Sequence, residues 1–179
     1  AYPEEVYPTI ETLIDAMRAE NESIRTNALS AVGKITSSYP DAAKPVTADL
    51  VHSLDDDPPK VRNNAVGLFG DIAQEHPDVV IEYAEGIADC LDDSNEQTRL
   101  NASIALLNAG GADPDAIRSQ HEQLEAALDD PNPSVRANAC ALVANSEAPV
   151  PIETLRELRD TDPDETVRDR AEWAVTRIS

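Results

Sequence analysis

Leu54-Asp55-Asp56-Asp57-Pro58-Pro59-Lys60-Val61-Arg62-Asn63-Asn64-Ala65-Val66-Gly67-Leu68 contains the end of one helix, a turn and the start of another. Upstream, Val46, Leu50, Val51 and Leu54 repeat at the i, i+4, i+5, i+8 spacing of one helical face. The acidic run and the two prolines then break that helix. Asp before Pro opens a new one, because Asp caps free backbone N–H groups and Pro suits the first turn. Downstream, Val61, Ala65, Leu68, Phe69 and Ile72 share a face. His76-Pro77 ends it, since the residue before proline resists the helical region. The unit is a helical hairpin.

The unit recurs. Arg62 has counterparts at Arg25, Arg99 and Arg136, each 37 residues from the next, and at Arg168, 32 residues on. Each lies in the same phrase: Ile24-Arg25-Thr26-Asn27-Ala28, Thr98-Arg99-Leu100-Asn101-Ala102, Val135-Arg136-Ala137-Asn138-Ala139, Val167-Arg168-Asp169-Arg170-Ala171. A period in the range of about 20–50 residues marks a solenoid. The spacing predicts repeats over 1–40, 41–77, 78–112, 113–148 and 149–179, forming one unit over 1–179. First helices are predicted at 4–18, 43–55, 78–91, 114–128 and 151–159. Second helices are predicted at 22–38, 59–75, 95–109, 132–146 and 164–178. No segment alternates with period two long enough for a strand, so the expected class is all-α: an α-α superhelix of about ten helices.

The phrase Leu-Asp-Asp-x-x-x-x-Val-Arg-x-x-Ala-x-x-x-Leu resembles the HEAT repeat over essentially the whole chain. Leu54-Asp55-Asp56, Leu91-Asp92-Asp93 and Leu128-Asp129-Asp130 carry it before the turn, and the five arginine phrases after it. The resemblance implies a right-handed solenoid whose second helices line the concave side. It also implies a structural ladder, in which turn aspartates Asp56, Asp93, Asp130 and Asp162 meet Arg25, Arg62, Arg99, Arg136 and Arg168. The first repeat departs, with Ala19 in place of the Asp and Glu20 beside it. The fifth departs through its short first helix. Both departures suit terminal repeats, which have one neighbour.

The chain has 179 residues, a formal charge of −21 and 41% hydrophobic residues. Acidity with that much periodic apolar content excludes a disordered tail. Lys34, Lys44 and Lys60 are the only lysines, against eleven arginines, and large apolar residues give way to Ala and Val. This resembles a salt-adapted composition of the haloarchaeal type. In molar salt the Debye length is about 3 Å, so like charges hardly repel, and hydrated carboxylates keep the surface soluble. The other reading of the acids is a site for basic partners or cations. Either way nucleic acid is disfavoured as a partner, because phosphate binding needs clustered cations. No stretch approaches the roughly 20 apolar residues of a membrane span, no signal sequence precedes the repeats, and a cytoplasmic location is expected. Cys90 and Cys140 read as small buried thiols. Residue 1 is Ala, so a processed or partial chain is one reading.

Two rows on the second helices are candidates. Asn27, Asn64, Asn101 and Asn138 stand two residues after their arginines. They either bond a neighbouring unit's turn backbone or are displayed to a peptide backbone, as in the related armadillo repeats. The outward row one, five and nine residues after each arginine is Thr26, Ser30, Lys34; Asn63, Gly67, Asp71; Leu100, Ile104, Asn108; Ala137, Ala141, Asn145; and Asp169, Trp173, Arg177. It holds only two acids, and its small, apolar middle suggests a partner site at Gly67, Leu100, Ile104, Ala137, Ala141 and Trp173. The alternative is burial between adjacent helices. Trp173 is either an anchor for a partner, a cover for the end of the stack or a contact for a further repeat.

No constellation for catalysis, cofactor or metal emerges. His52, His76 and His121 share no face, and there is no phosphate loop or nucleophile elbow. The expectation is a non-enzymatic scaffold or adaptor that holds a peptide or helix on the concave second-helix surface, with a protein or peptide partner and a monomer favoured. The alternatives are a subunit or relative of a HEAT-like lyase, or a structural segment of a longer protein whose active domain lies elsewhere.

Overall fold

The computed structural model describes residues 6–178. Among them the regular structure is entirely helical. Five hairpins follow one another. Their second helices are α2 (Glu22–Ser38), α4 (Pro59–Glu75), α7 (Glu96–Ala109), α10 (Pro133–Ser146) and α12 (Glu165–Ile178). Each packs on the next along the chain. The first predicted helix was to begin at residue 4; that start, like Ala1, lies outside the described residues.

The second helices are continuous for sequence reasons. Side chains of Asn21, Asn95, Asn132 and Asp164 accept from the free N–H groups of the first turns. Pro58 stands at the corresponding place before α4, and Pro59 supplies the first helical residue. Tyr39 and His76 close α2 and α4 by donating to Ile35 O and Ile72 O, each just before a proline.

The first-helix layer differs from the expectation. Only α1 (Val6–Met17) and α11 (Ile152–Thr161) are single helices. The second hairpin opens with a 3-10 turn at Pro40–Ala43, continues as α3 (Lys44–Leu50) and ends in another 3-10 turn at Val51–Ser53. The third runs through α5 (Pro77–Val80), Ile81–Tyr83, α6 (Ala84–Asp89) and Cys90–Asp92, the unnumbered pieces again being 3-10. The fourth is α8 (Pro114–Arg118) followed by α9 (His121–Ala127). Pro40, Pro77 and Pro114 each start the layer abruptly. The tighter 3-10 winding lets short segments satisfy their ends locally.

One apolar core runs the length of the stack, from Ile10 to Val175. Phe69, Leu29, Leu50, Ile87, Leu106, Ile117, Leu124, Leu142 and Leu155 lie fully inside it, and Phe69 meets the Tyr83 ring at 5.5 Å. Alanine and glycine let the second helices approach; the Cα of Ala105 lies 3.8 Å from where a side chain at Gly70 would begin. The shortened fifth repeat begins where α10 stops. Glu147 takes a left-handed conformation (φ 53°), and Glu147 and Ala148 both donate to Val143 O. This closing motif usually holds glycine.

Candidate functional site

The arginines form a continuous ladder along the edge where the turns lie. Nε and Nη2 of Arg25 reach the Asp56 carboxylate of the following hairpin, with Nε–O 2.6 Å. Arg62–Asp93 (2.5 Å), Arg99–Asp130 (2.6 Å) and Arg136–Asp162 (2.8 Å) repeat the two-pronged contact. The remaining nitrogen, Nη1, turns back to the arginine's own turn. It donates to Ala19 O and Glu20 O from Arg25, to Asp56 O and Asp57 O from Arg62, to Asp93 O from Arg99, and to Asp130 O and Pro131 O from Arg136. Each planar guanidinium therefore fastens two successive turns, a task a lysine cannot copy.

The aspartates serve two ends as well. Asp93, Asp130 and Asp162 accept from the backbone N–H two residues on, in Asn95, Asn132 and Asp164. Asp56 faces Pro58, which has no N–H to give. The pairs are more enclosed toward the C-terminal half, with 15% of each side chain exposed in Arg25–Asp56 but 12% and 3% in Arg136–Asp162. The hydrogen bond from Arg136 holds the Asp162 carboxyl below its ordinary range, against the opposing effect of burial. At Asp93, burial pushes upward most strongly, yet bonds from Arg62 and from the Asn95 N–H carry the balance downward. Hydrogen bonds to their aspartates raise Arg62, Arg99 and Arg136 further above the usual guanidinium value.

Arg168 stands apart. Its Nη1 donates to Asp162 O (2.7 Å) and Pro163 O (3.1 Å), the same anchor as its counterparts. Among the described residues no carboxylate takes its other prongs.

The asparagine row does not reach turn backbone. Asn101 donates to Asn63 Oδ1 at 3.0 Å and accepts from Gln97, while Asn138 donates to Ser103 Oγ at 2.9 Å. Asn27 is exposed and Asn64 half-buried. The links run sideways between adjacent second helices, because Asn101 and Asn138 face the preceding one. Sequence reading also missed a second cross-link nine residues after the arginine. Asn108 donates to Gly70 O and Arg177 to Ala144 O, both carbonyls of the previous second helix. The shared offset was visible in the sequence; the unlike side chains hid it. Arg118 similarly caps α10 by donating to Ser146 O at 2.7 Å.

The outward row divides. Ala137 and Ala141 are buried, at 6% and 4% exposure, which corrects their reading as display positions. Leu100 is half-buried against the core. Gly67 is half-buried, and a side chain there would begin 3.2 Å from the Asn101 amide. Ile104 and Trp173 remain exposed, at 39% and 38%. Arg170 and Arg177 each lie 5.6 Å from the Trp173 ring centre, a cationic clamp on the indole. Between α2 and α4 lies a groove of about 350 Å³, edged by Ser30, Lys34, Asn63, Gly67 and Asp71.

Cys90 and Cys140 are buried free thiols, pushed up to about 12 by desolvation and then by neighbouring carboxylates. Among the described residues no cluster of three or more His, Cys, Asp or Glu side chains is arranged to hold a metal. No described helix is long and apolar enough to cross a membrane.

Stacked helical hairpins tied turn to turn by an arginine–aspartate ladder define an α-solenoid repeat protein. The family described as HEAT repeats matches residues 84–176, and the chain belongs to it. The family described as non-SMC mitotic condensation complex subunit 1 matches residues 23–118. Among solved structures, computationally designed armadillo repeat proteins for modular peptide recognition are similar over 93% of this chain and 81% of theirs, with 25% identity and a TM-score of 0.80. Two engineered proteins share the fold at 20% and 21% identity, with TM-scores of 0.74 and 0.78; the matches cover 95% and 94% of this chain and 79% and 47% of theirs. No curated protein sequence matches the chain.

Proposed function

We propose that this chain is a protein-interaction scaffold that holds an extended peptide or a helix along its second-helix layer, the concave side in the HEAT and armadillo pattern. The observation that carries the reading is the make-up of that layer. Ile104 is left exposed in a chain of charge −21. The groove of Ser30, Lys34, Asn63 and Gly67, which Asn101 of the helix carrying Ile104 also lines, offers donors and acceptors to a peptide backbone. An apolar anchor next to adaptable polar groups is how a surface binds a chain. The likeness to armadillo repeat proteins designed for modular peptide recognition supports a peptide as the partner.

Ile104 and the groove between α2 and α4 are the centre of the proposed site, with Leu100 contributing its exposed edge. Panning a displayed random-peptide library against the wild type, with Ile104→Glu and Ser30→Glu as counter-targets, tests the reading. Peptides retained by the wild type and lost from both folded variants support it. Peptides indifferent to both substitutions, or none enriched at all, refute it.

A further inference from the structure

The edge opposite the ladder, where the second helices end, carries two grooves at equivalent places. One, of about 300 Å³, is built from Thr36, Ser37, Pro40 and Ala43 on one side and Asp71 and Ile72 on the other. The second, of about 340 Å³, is built from Gly110, Gly111, Pro114, Ile117, Asn145 and Ser146. Each of these six stands 74 residues after its counterpart, twice the 37-residue period. The second groove lies within the stack, with walls from the third, fourth and fifth hairpins.

Equivalent places have opposite chemistry. Asp71 and Glu75 line the first groove beside the hydroxyls of Thr36 and Ser37. In the second, glycines replace both hydroxyl residues, Asn145 replaces the acid and Ile117 replaces Ala43. Leu107 and Leu142 complete an apolar floor, and Arg177 stands at the rim. Among the described residues no carboxylate lines this groove, in a chain of −21. A side chain at Gly110 would begin 2.9 Å from Leu106 O and 3.1 Å from Ile117, whereas one at Gly111 would meet nothing within 4 Å. Gly110 thus keeps the floor open, and Gly111 leaves an exit.

The rim suits an anion. A helix C-terminus ordinarily repels negative charge. At the end of α10, Arg177 Nε covers Ala144 O and Arg118 Nε covers Ser146 O. The Arg177 guanidinium also lies 5.6 Å from the Trp173 ring centre. It is held in place before a ligand arrives, which lowers the entropic cost of binding.

We infer that this groove binds the C-terminal residue of a partner polypeptide. An aliphatic side chain rests on Leu107, Ile117 and Leu142, and the terminal carboxylate pairs with Arg177. The preceding backbone leaves over Gly111, past the exposed Asn145. The site is separate from the groove edged by Ser30 and Lys34 and stands without it.

The probes are acetyl-Gly-Gly-Leu with a free carboxylate, the same peptide as its C-terminal amide, and isocaproate. Each is titrated into the full chain to millimolar concentration, with the backbone N–H signals of Gly110 and Gly111 followed by NMR. Fluorescence of Trp173, the one tryptophan in the chain, gives a second readout in the wild type. The free-carboxylate peptide is expected to shift both. The amide is expected to bind at least about tenfold more weakly, as loss of a charge-assisted pair does. Arg177→Gln, and Asn145→Asp, which copies the acid of the first groove, should each weaken the peptide similarly. Circular dichroism confirms that both variants remain folded; Asn145 is exposed and its substitution disturbs no packing. Equal binding by the amide, indifference to both substitutions, or no binding by the peptide overturns the inference. Isocaproate binding as tightly as the peptide would give the groove to a small acid and overturn the polypeptide occupant.

Discussion

The two helix layers obey different rules. Each second helix is one unbroken element, started by an Asn, Asp or Pro device and tied to its neighbours by the ladder and by amide links such as Asn101–Asn63. The first helices of the middle repeats are assembled from short α and 3-10 pieces without a repeating bridge between neighbours among the described residues. Arg18 to Asp49 and Gln123 to Asp89 are isolated links. The difference teaches that register in this stack is set by the second layer and its turns. The first layer completes the core with Leu50, Ile87, Ile117 and Leu124 and adapts its winding to do so.

The sharpest way to break the asymmetry is to cut a rung in the middle of the ladder. Arg99→Gln leaves Asp130, 4% exposed at its side chain, without its cation. The expected loss is about 3 kcal/mol in chemical denaturation, because a carboxylate is left enclosed and unpaired. Smaller losses at Arg99 than at an ordinary first-layer alanine substitution would reverse the ranking of the layers.

Acid should act on the same edge. Asp93 and Asp162 have folded values below their unfolded ones. They bind protons less readily when folded, so they add stability above the ordinary carboxylate range, around pH 4. That stability is lost as pH falls through their folded values. Stability should therefore change little from these groups near neutrality and decline in acid. In Asp162→Asn the acid slope of the denaturation midpoint should be shallower than in wild type.

A smaller effect separates the helix starts. Asn95→Ala removes the cap on Thr98 N–H and should cost about 1 kcal/mol, measurable as a lower denaturation midpoint. Smallest of all is the exposed first-layer pair Arg118–Asp115, whose aspartate side chain is 80% exposed. Asp115→Asn is expected to leave the midpoint unchanged within error, because solvent screens such pairs.

The second helices were legible because the Arg phrase and the apolar face agreed in each; the expected Asp cap of α4 gives way to Pro58, which makes no side-chain cap bond. The predicted 22–38 and 59–75 coincide with α2 and α4. The first layer was legible in position but not in winding. The apolar spacing of Val46, Leu50 and Leu54 suits a helix, yet spacing does not distinguish an α from a 3-10 turn at Val51–Ser53. Of the outward row, Ile104 and Ala141 hold equivalent sequence places and differ in the structure, one exposed and one buried. Their fate depends on what the following helix places over them, which no residue's own neighbours in the sequence reveal.

Because each guanidinium joins two turns, a tensile load along the stack meets the rungs in series. The weakest is the one between Arg25 and Asp56, where Pro58 supplies no backbone donor to steady the carboxylate. Pulled from both ends, the molecule should yield there first and peel toward the C-terminus, so the prolines that make that turn also give it the character of a mechanical fuse.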